Sequence, residues 1–295
     1  MVRATATPRA DRTIALQDGR GLAYSEWGDL AGRPIVLLHG TPGSRLICLD
    51  EDATVAAGVR LLTMDRPGYG LSDPRAGPTI FGWVDDFIEF ADRLELPPCP
   101  VIGWSGGGPY ALALGFRLPH QITGIGLAAA QGPIDPVPGM LEARLPEGAR
   151  AAFRLLRQDY AAGVAAIEEG DAWFSGGGWE RTFAKSWGDA DDRALADPAT
   201  LESMKTLMRE AARQGPAGYV ADHIAETLPW SFSVSEITQP VHIWYGESDE
   251  RWVPMSADYL VANIRDVTLV TYPGEAHLFP FDHWAEMLAA IVEGA

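Results

Sequence analysis

The sequence predicts an α/β fold in which a mostly parallel central sheet is flanked by helices and interrupted by an inserted α-helical cap. Two observations carry that class. Before about residue 132 and after about residue 230, short apolar runs alternate with amphipathic stretches, and strands alternating with helices form parallel sheets covered on both faces. Between those positions the rhythm stops and only helical patterns recur. The expected layout is a core from 12–131 and 231–295 with a cap from 132–230.

Taken in order, residues 13–27 alternate around Asp18-Gly19-Arg20-Gly21, a hairpin signal. Pro34-Ile35-Val36-Leu37-Leu38 and Arg60-Leu61-Leu62-Thr63-Met64 read as buried strands, each ending in a turn-rich loop. Thr79 stands where it can cap a helix whose apolar side holds Trp83, Phe87, Phe90, Ala91 and Leu94. A strand at Pro100-Val101-Ile102, a helix from Pro109 and a strand from Ile122 to Ala128 follow. The cap carries helical patterns near 148–168, 179–187, 198–213 and 216–227, punctuated by Pro138, Gly176-Gly177-Gly178, Pro198 and Gly215-Pro216. The strand rhythm resumes at Val241–Tyr245, with a helix near 255–263, a strand at Val267–Val270 and a closing helix over 281–292.

Composition narrows the function. With 47% apolar and 21% charged residues the chain has a globular balance. A net charge of -17 argues against nucleic acid, whose binding needs lysine and arginine to displace counterions. Cys48 and Cys99 form no CxxC pair, so neither a disulfide framework nor structural zinc is expected. No secretory signal or membrane span is apparent, which makes the expected compartment the cytoplasm. The abundance of alanine, glycine and arginine over lysine hints at a bacterial source, and the oligomeric state is left open.

The chemistry centres on Gly103-Trp104-Ser105-Gly106-Gly107, between a strand and a helix. This spacing is that of a nucleophile elbow, which holds a serine hydroxyl above a sheet. A serine hydroxyl is a weak nucleophile and needs a base, itself oriented by a third group. Among six histidines, His277 follows the last strand and is the best-placed base. His242 falls within a strand, while His120, His223 and His283 lie on helices or their ends. Asp249 follows the preceding strand and is the natural orienting acid, with Glu247 and Glu250 as competitors in its loop. An acyl-transfer oxyanion needs N–H donors, which the backbone of Gly106 and of Thr41, after His39-Gly40, can supply. His39 and Trp104 are the core's pocket candidates, with a structural or packing role as the other reading of each; Trp173, Trp179, Trp187 and Met208 are the cap's, and the alternative for them is to fill the cap's own core.

With these marks, together with His39-Gly40-Thr41-Pro42 and Asp65-Arg66-Pro67-Gly68-Tyr69-Gly70-Leu71-Ser72-Asp73, the sequence resembles the α/β-hydrolase superfamily with a helical cap. The resemblance covers nearly all the chain after residue 12, and the order serine, acid, histidine is the one that fold uses. It implies an acyl-enzyme hydrolase in which Ser105 attacks, His277 relays the proton and Asp249 holds the imidazole, with no cofactor. The expected partners are a small, fairly apolar ester, thioester or lactone and water. Carbon-carbon bond hydrolysis, amidase or aminopeptidase action, perhydrolysis and ligand binding without turnover are the other activities this site could serve. Serine at 105 disfavours epoxide hydrolases and haloalkane dehalogenases, which use aspartate there. Trp104 precedes the nucleophile, whereas proline iminopeptidases usually place tryptophan after it.

Overall fold

A computed structural model describes residues 7–144, 147–170, 180, 183, 185–249 and 252–294. The expected hairpin joins β1 (Ala10–Ala15) to β2 (Gly21–Gly28), with Ile14 opposite Leu22. The sheet continues through β3 (Arg33–Leu38), β4 (Val59–Met64), β5 (Cys99–Trp104), β6 (Ile122–Ala128), β7 (Val241–Gly246) and β8 (Val267–Tyr272). Its spatial order is β1-β2-β4-β3-β5-β6-β7-β8. β2 runs antiparallel to β4, and every later pairing is parallel. The carboxyl ends of β3 to β8 therefore open on one rim, where ligands of such sheets bind.

Alternate side chains of each strand face opposite layers. Val36, Leu38, Leu62, Met64 and Val101 pack with Trp83, Phe87 and Phe90 of α2 (Ile80–Arg93) and Leu112 of α3 (Gly108–Arg117). Ile35, Leu37, Leu61, Ile102 and Trp104 pack on the other side with Trp284, Leu288 and Ile291. Each large side chain so buried is worth about 1.5–3 kcal/mol. Thr79 caps α2, its hydroxyl accepting the Gly82 N–H at 2.9 Å. The short α1 (Glu51–Ala56) follows β3 and has too few residues to show a period.

Between β6 and β7 the described residues form helices and no strand: α4 (Met140–Arg144), α5 (Glu147–Gln158), α6 (Tyr160–Gly170), α7 (Asp189–Leu195), α8 (Pro198–Ala211) and α9 (Ala217–Thr227). The single helix expected over 148–168 is two, broken at Asp159, whose carboxylate accepts the Ala162 N–H and starts α6. α7 escapes an apolar period because its first turn is acidic (Asp189, Asp191, Asp192), a composition that suits the positive end of a helix dipole. Of the helix expected over 179–187, residues 179, 181, 182 and 184 lie outside the described residues; Phe183 is in a turn, Lys185 in a bend and 186–188 are non-helical. This segment lies over the loops of the sheet rim. Ser44 donates to Leu207 O, Gln214 donates to the carbonyls of Tyr69, Gly70 and Ser72, and Arg45 pairs with Glu210. The chain closes with α10 (Val253–Asn263) and α11 (Pro280–Gly294). No helix among the described residues is long and apolar enough to cross a membrane.

Candidate active site

β5 ends at Trp104, and one tight turn, Ser105–Gly107, feeds α3. Ser105 has φ +54°, a conformation that costs a residue with a Cβ about 1–3 kcal/mol and persists only where its surroundings impose it. The surroundings here are two glycines. A Cβ on Gly103 would stand 2.5 Å from Gly107 O, and one on Gly107 would strike the carbonyls of Leu38 and His39. Strand and helix close to this distance only because both positions lack a side chain, and Ser105 is left partly exposed amid buried neighbours.

The loops after β7 and β8 bring Asp249 and His277 to that serine. His277 Nδ1 donates to Asp249 Oδ2 at 2.7 Å, and Ser105 Oγ donates to His277 Nε2 at 3.0 Å. Asp249 is 3% and His277 7% exposed, so the line of hydrogen bonds is shielded from water except at its serine end. The Trp104 ring lies 6.0 Å from that of His277 and its N–H donates to His277 O at 3.3 Å. Trp252 meets the imidazole edge-on at 6.1 Å. Such a line can pull the serine proton onto imidazole as Oγ attacks and return it to a leaving group.

Thr41 and Gly106 face each other across the turn. A Cβ on Gly40 would be 3.2 Å from Ser105 Cβ, and one on Gly106 would collide with Thr41 Oγ1. The loop of His39-Gly40-Thr41 is held from behind by Arg66, which donates to His39 O at 2.6 Å, Gly40 O at 2.9 Å and Thr41 Oγ1 at 3.1 Å. Arg66 also grips Asp222 of α9 through Nε and Nη2, and Tyr110 donates to Asp222 Oδ1 at 2.8 Å. The Thr41 hydroxyl has one proton to share between Asp222 Oδ2 at 2.9 Å and Glu226 Oε1 at 2.5 Å. Glu226 is fully buried, and Arg144 of α4 meets its Oε2. Burial, opposed by Arg144 and reinforced by Asp222, pushes the Glu226 carboxyl up to about 7.

The sequence pattern of the Alpha/beta hydrolase family matches residues 35–290 of this chain. The chain belongs to that family. A curated relative of this hydrolase, the pimeloyl-[acyl-carrier protein] methyl ester esterase of Aromatoleum aromaticum, is 27% identical over 263 residues, 88% of this chain and 96% of the relative. The protein of the same name from Nitrosospira multiformis is 26% identical over 90% of this chain and 95% of its own. Among solved structures, a hydrolase from Pseudomonas aeruginosa PA01 superposes with a TM-score of 0.70 at 22% identity, covering 97% of this chain and 98% of that one, a likeness of fold.

The hydrolase's expected pocket residues part company. His39 is fully buried behind the loop. Its Nδ1 donates to Gly40 O, its Nε2 accepts the Arg66 N–H, and burial beside Arg66 holds the ring neutral. Trp104 is packed between His277 and Phe281. Both are covered by protein, His39 at 0% and Trp104 at 3% exposure, and pack behind the site. Met208 is buried on α8 in the apolar layer that also holds Trp104 and Trp252. Trp187 stacks on Phe183 and lines a recess of about 600 Å³ with Asp189, Asp191, Arg193 and Asp249. Trp173 and Trp179 lie outside the described residues. Asp65 fixes the loop after β4, accepting from the backbone of Arg45 and Leu71. Sequence reasoning missed Asp222, Glu226 and Arg144. The signal for the first two was their spacing of four, which puts both carboxylates, the only acidic side chains of that helix, on one face.

Proposed function

We propose that this chain is a serine hydrolase that cleaves a small, fairly apolar carboxylic ester, thioester or lactone through an acyl-enzyme on Ser105. The observation that carries the reading is the unbroken line from Ser105 Oγ to His277 Nε2 and from His277 Nδ1 to Asp249 Oδ2. His277 takes the serine proton during attack and passes it to the departing alcohol or thiol, while Asp249 holds the ring and stabilises its positive charge. The backbone N–H groups of Thr41 and Gly106 receive the oxyanion, each such donor being worth about 2.7–4 kcal/mol. Water activated by the same imidazole then releases the acid. Residues 132–230 form the cap over the core of 12–131 and 231–295. The esterase named among the full-length relatives supports ester over amide as the bond broken.

A fluorophosphonate probe is expected to label Ser105. Ser105→Ala is expected to abolish labelling and to lower ester turnover by about 10⁴- to 10⁶-fold, some rate surviving through the oxyanion donors. Ester turnover that survives the substitution intact would sink the reading.

A further inference from the structure

Buried polar atoms with no partner gather around Glu226. The Arg144 side chain is only 6% exposed; its Nη2 meets Glu226, and its Nη1 has no hydrogen-bond partner among the described residues. The guanidinium carbon is 5.9 Å from the centre of the Trp252 ring, which itself lies against His277. On the other side, Glu226 Oε1 is 2.7 Å from where a side chain on Gly106 would begin. Arg144 is thus tied at once to the residue beside an oxyanion donor and to the residue beside the base. Two further orphans share the neighbourhood. Gln131 donates its amide to Glu226 O and its backbone N–H to Ser105 O, yet its Oε1 is unmet. His223, one turn before Glu226, is held neutral by burial and by Arg144, and its Nδ1 is unmet.

An unmet buried donor is costly, and native proteins leave few of them without a functional or solvent partner. The charges around Arg144 say what would meet this one. Arg66 is balanced by Asp222, and Glu226, its proton held by burial up to about pH 7, leaves Arg144 only partly compensated. Met140 and Trp252 belong to one buried apolar layer, and the Trp252 ring meets both the guanidinium and the imidazole of His277, so the surroundings of this corner suit methylene groups.

Resting on the serine-hydrolase reading above, we propose that Arg144 Nη1 binds a carboxylate at the far end of the acyl chain. The favoured substrates are then esters of short dicarboxylic acids with one acid group free. A guanidinium edge and a carboxylate form a charge-assisted pair, the strongest ordinary hydrogen bond available to such a site.

The test compares kcat/KM for the monomethyl esters of succinic, glutaric and adipic acids with that for methyl esters of monocarboxylic acids of the same chain length. The wild-type protein is expected to favour the acid-bearing ester by about 10- to 100-fold at one of these lengths. In the double variant Arg144→Met, Glu226→Gln, which removes both members of the buried pair together, the preference is expected to fall to about one, the change residing in KM. Arg144→Lys, which keeps the charge and loses the second N–H edge, is expected to fall at least about fivefold and decides the matter if the double variant does not fold. A wild-type preference of one or less at every length, or a preference that both variants retain, overturns the proposal. Hydrolysis of the neutral esters with fluorophosphonate labelling of Ser105 in the same preparation assigns that failure to Arg144 alone. Loss of both turnover and labelling in the wild type strikes the hydrolase reading instead.

Discussion

One wall of the site comes from the loops of the sheet and holds its groups by backbone shape; the other comes from the helical segment and holds its groups by charge. Ser105 is aimed by a strained turn between two glycines, and Asp249 and His277 hang from the ends of adjacent parallel strands. Across from them, Asp222, Glu226 and Arg144 are positioned by buried contacts between carboxyl and guanidinium groups. Arg66 joins the two, since one guanidinium binds the carbonyls of the His39-Gly40 turn and a carboxylate of α9. The difference teaches where each wall is vulnerable. Shape built from short loops survives the loss of a side chain, whereas a buried charge that loses its partner does not.

The largest expected effect separates chemistry from stability. Asp249→Asn replaces the carboxylate that fixes the His277 tautomer with an amide able to donate to Nδ1, and is expected to lower kcat about 10⁴-fold. The Asp249 N–H still donates to Gly246 O, so the unfolding midpoint in urea should move little. A large fall in midpoint would mean that the sheet wall, too, depends on its charges.

Arg66→Met addresses the joint. It leaves Asp222 charged and buried and releases two carbonyls of the loop behind Ser105, and the expected loss is about 3–5 kcal/mol in unfolding free energy. Lysine has too few donors in a fixed plane to replace it, so Arg66→Lys should recover only part of that loss. Full recovery would reduce the joint to a point charge.

Glu226 offers the smallest effect and the one with a sign. Its carboxyl is held above the ordinary value of 4.5, up to about 7, by burial first and by Asp222, against Arg144, Arg66 and the Thr41 hydroxyl. Raised folded-state affinity for a proton means that the associated stability is full below about pH 4.5 and is lost as pH rises through about 7. Each unit of separation is worth roughly 1.4 kcal/mol. Glu226→Gln cannot lose that proton, so unfolding midpoints of wild type and variant should diverge between pH 5 and pH 8 in favour of the variant. Parallel curves would show that Glu226 stays ionised throughout.

The sequence by itself determined the strand rhythm, the hairpin, the helix capped at Thr79 and the order in which Ser105, Asp249 and His277 occur. Each of these rests on local physics: alternation along a strand, a period along a helix, and glycines where chain must fold back on chain. The tertiary structure alone decided that His39 and Trp104 support the site from behind, because only packing shows which face of a residue is covered. It alone joined Thr41 to Asp222 and Glu226, 181 and 185 residues away. Charges so distant along the chain leave no period to read; their meaning arises when folding removes water from between them and makes each depend on the other.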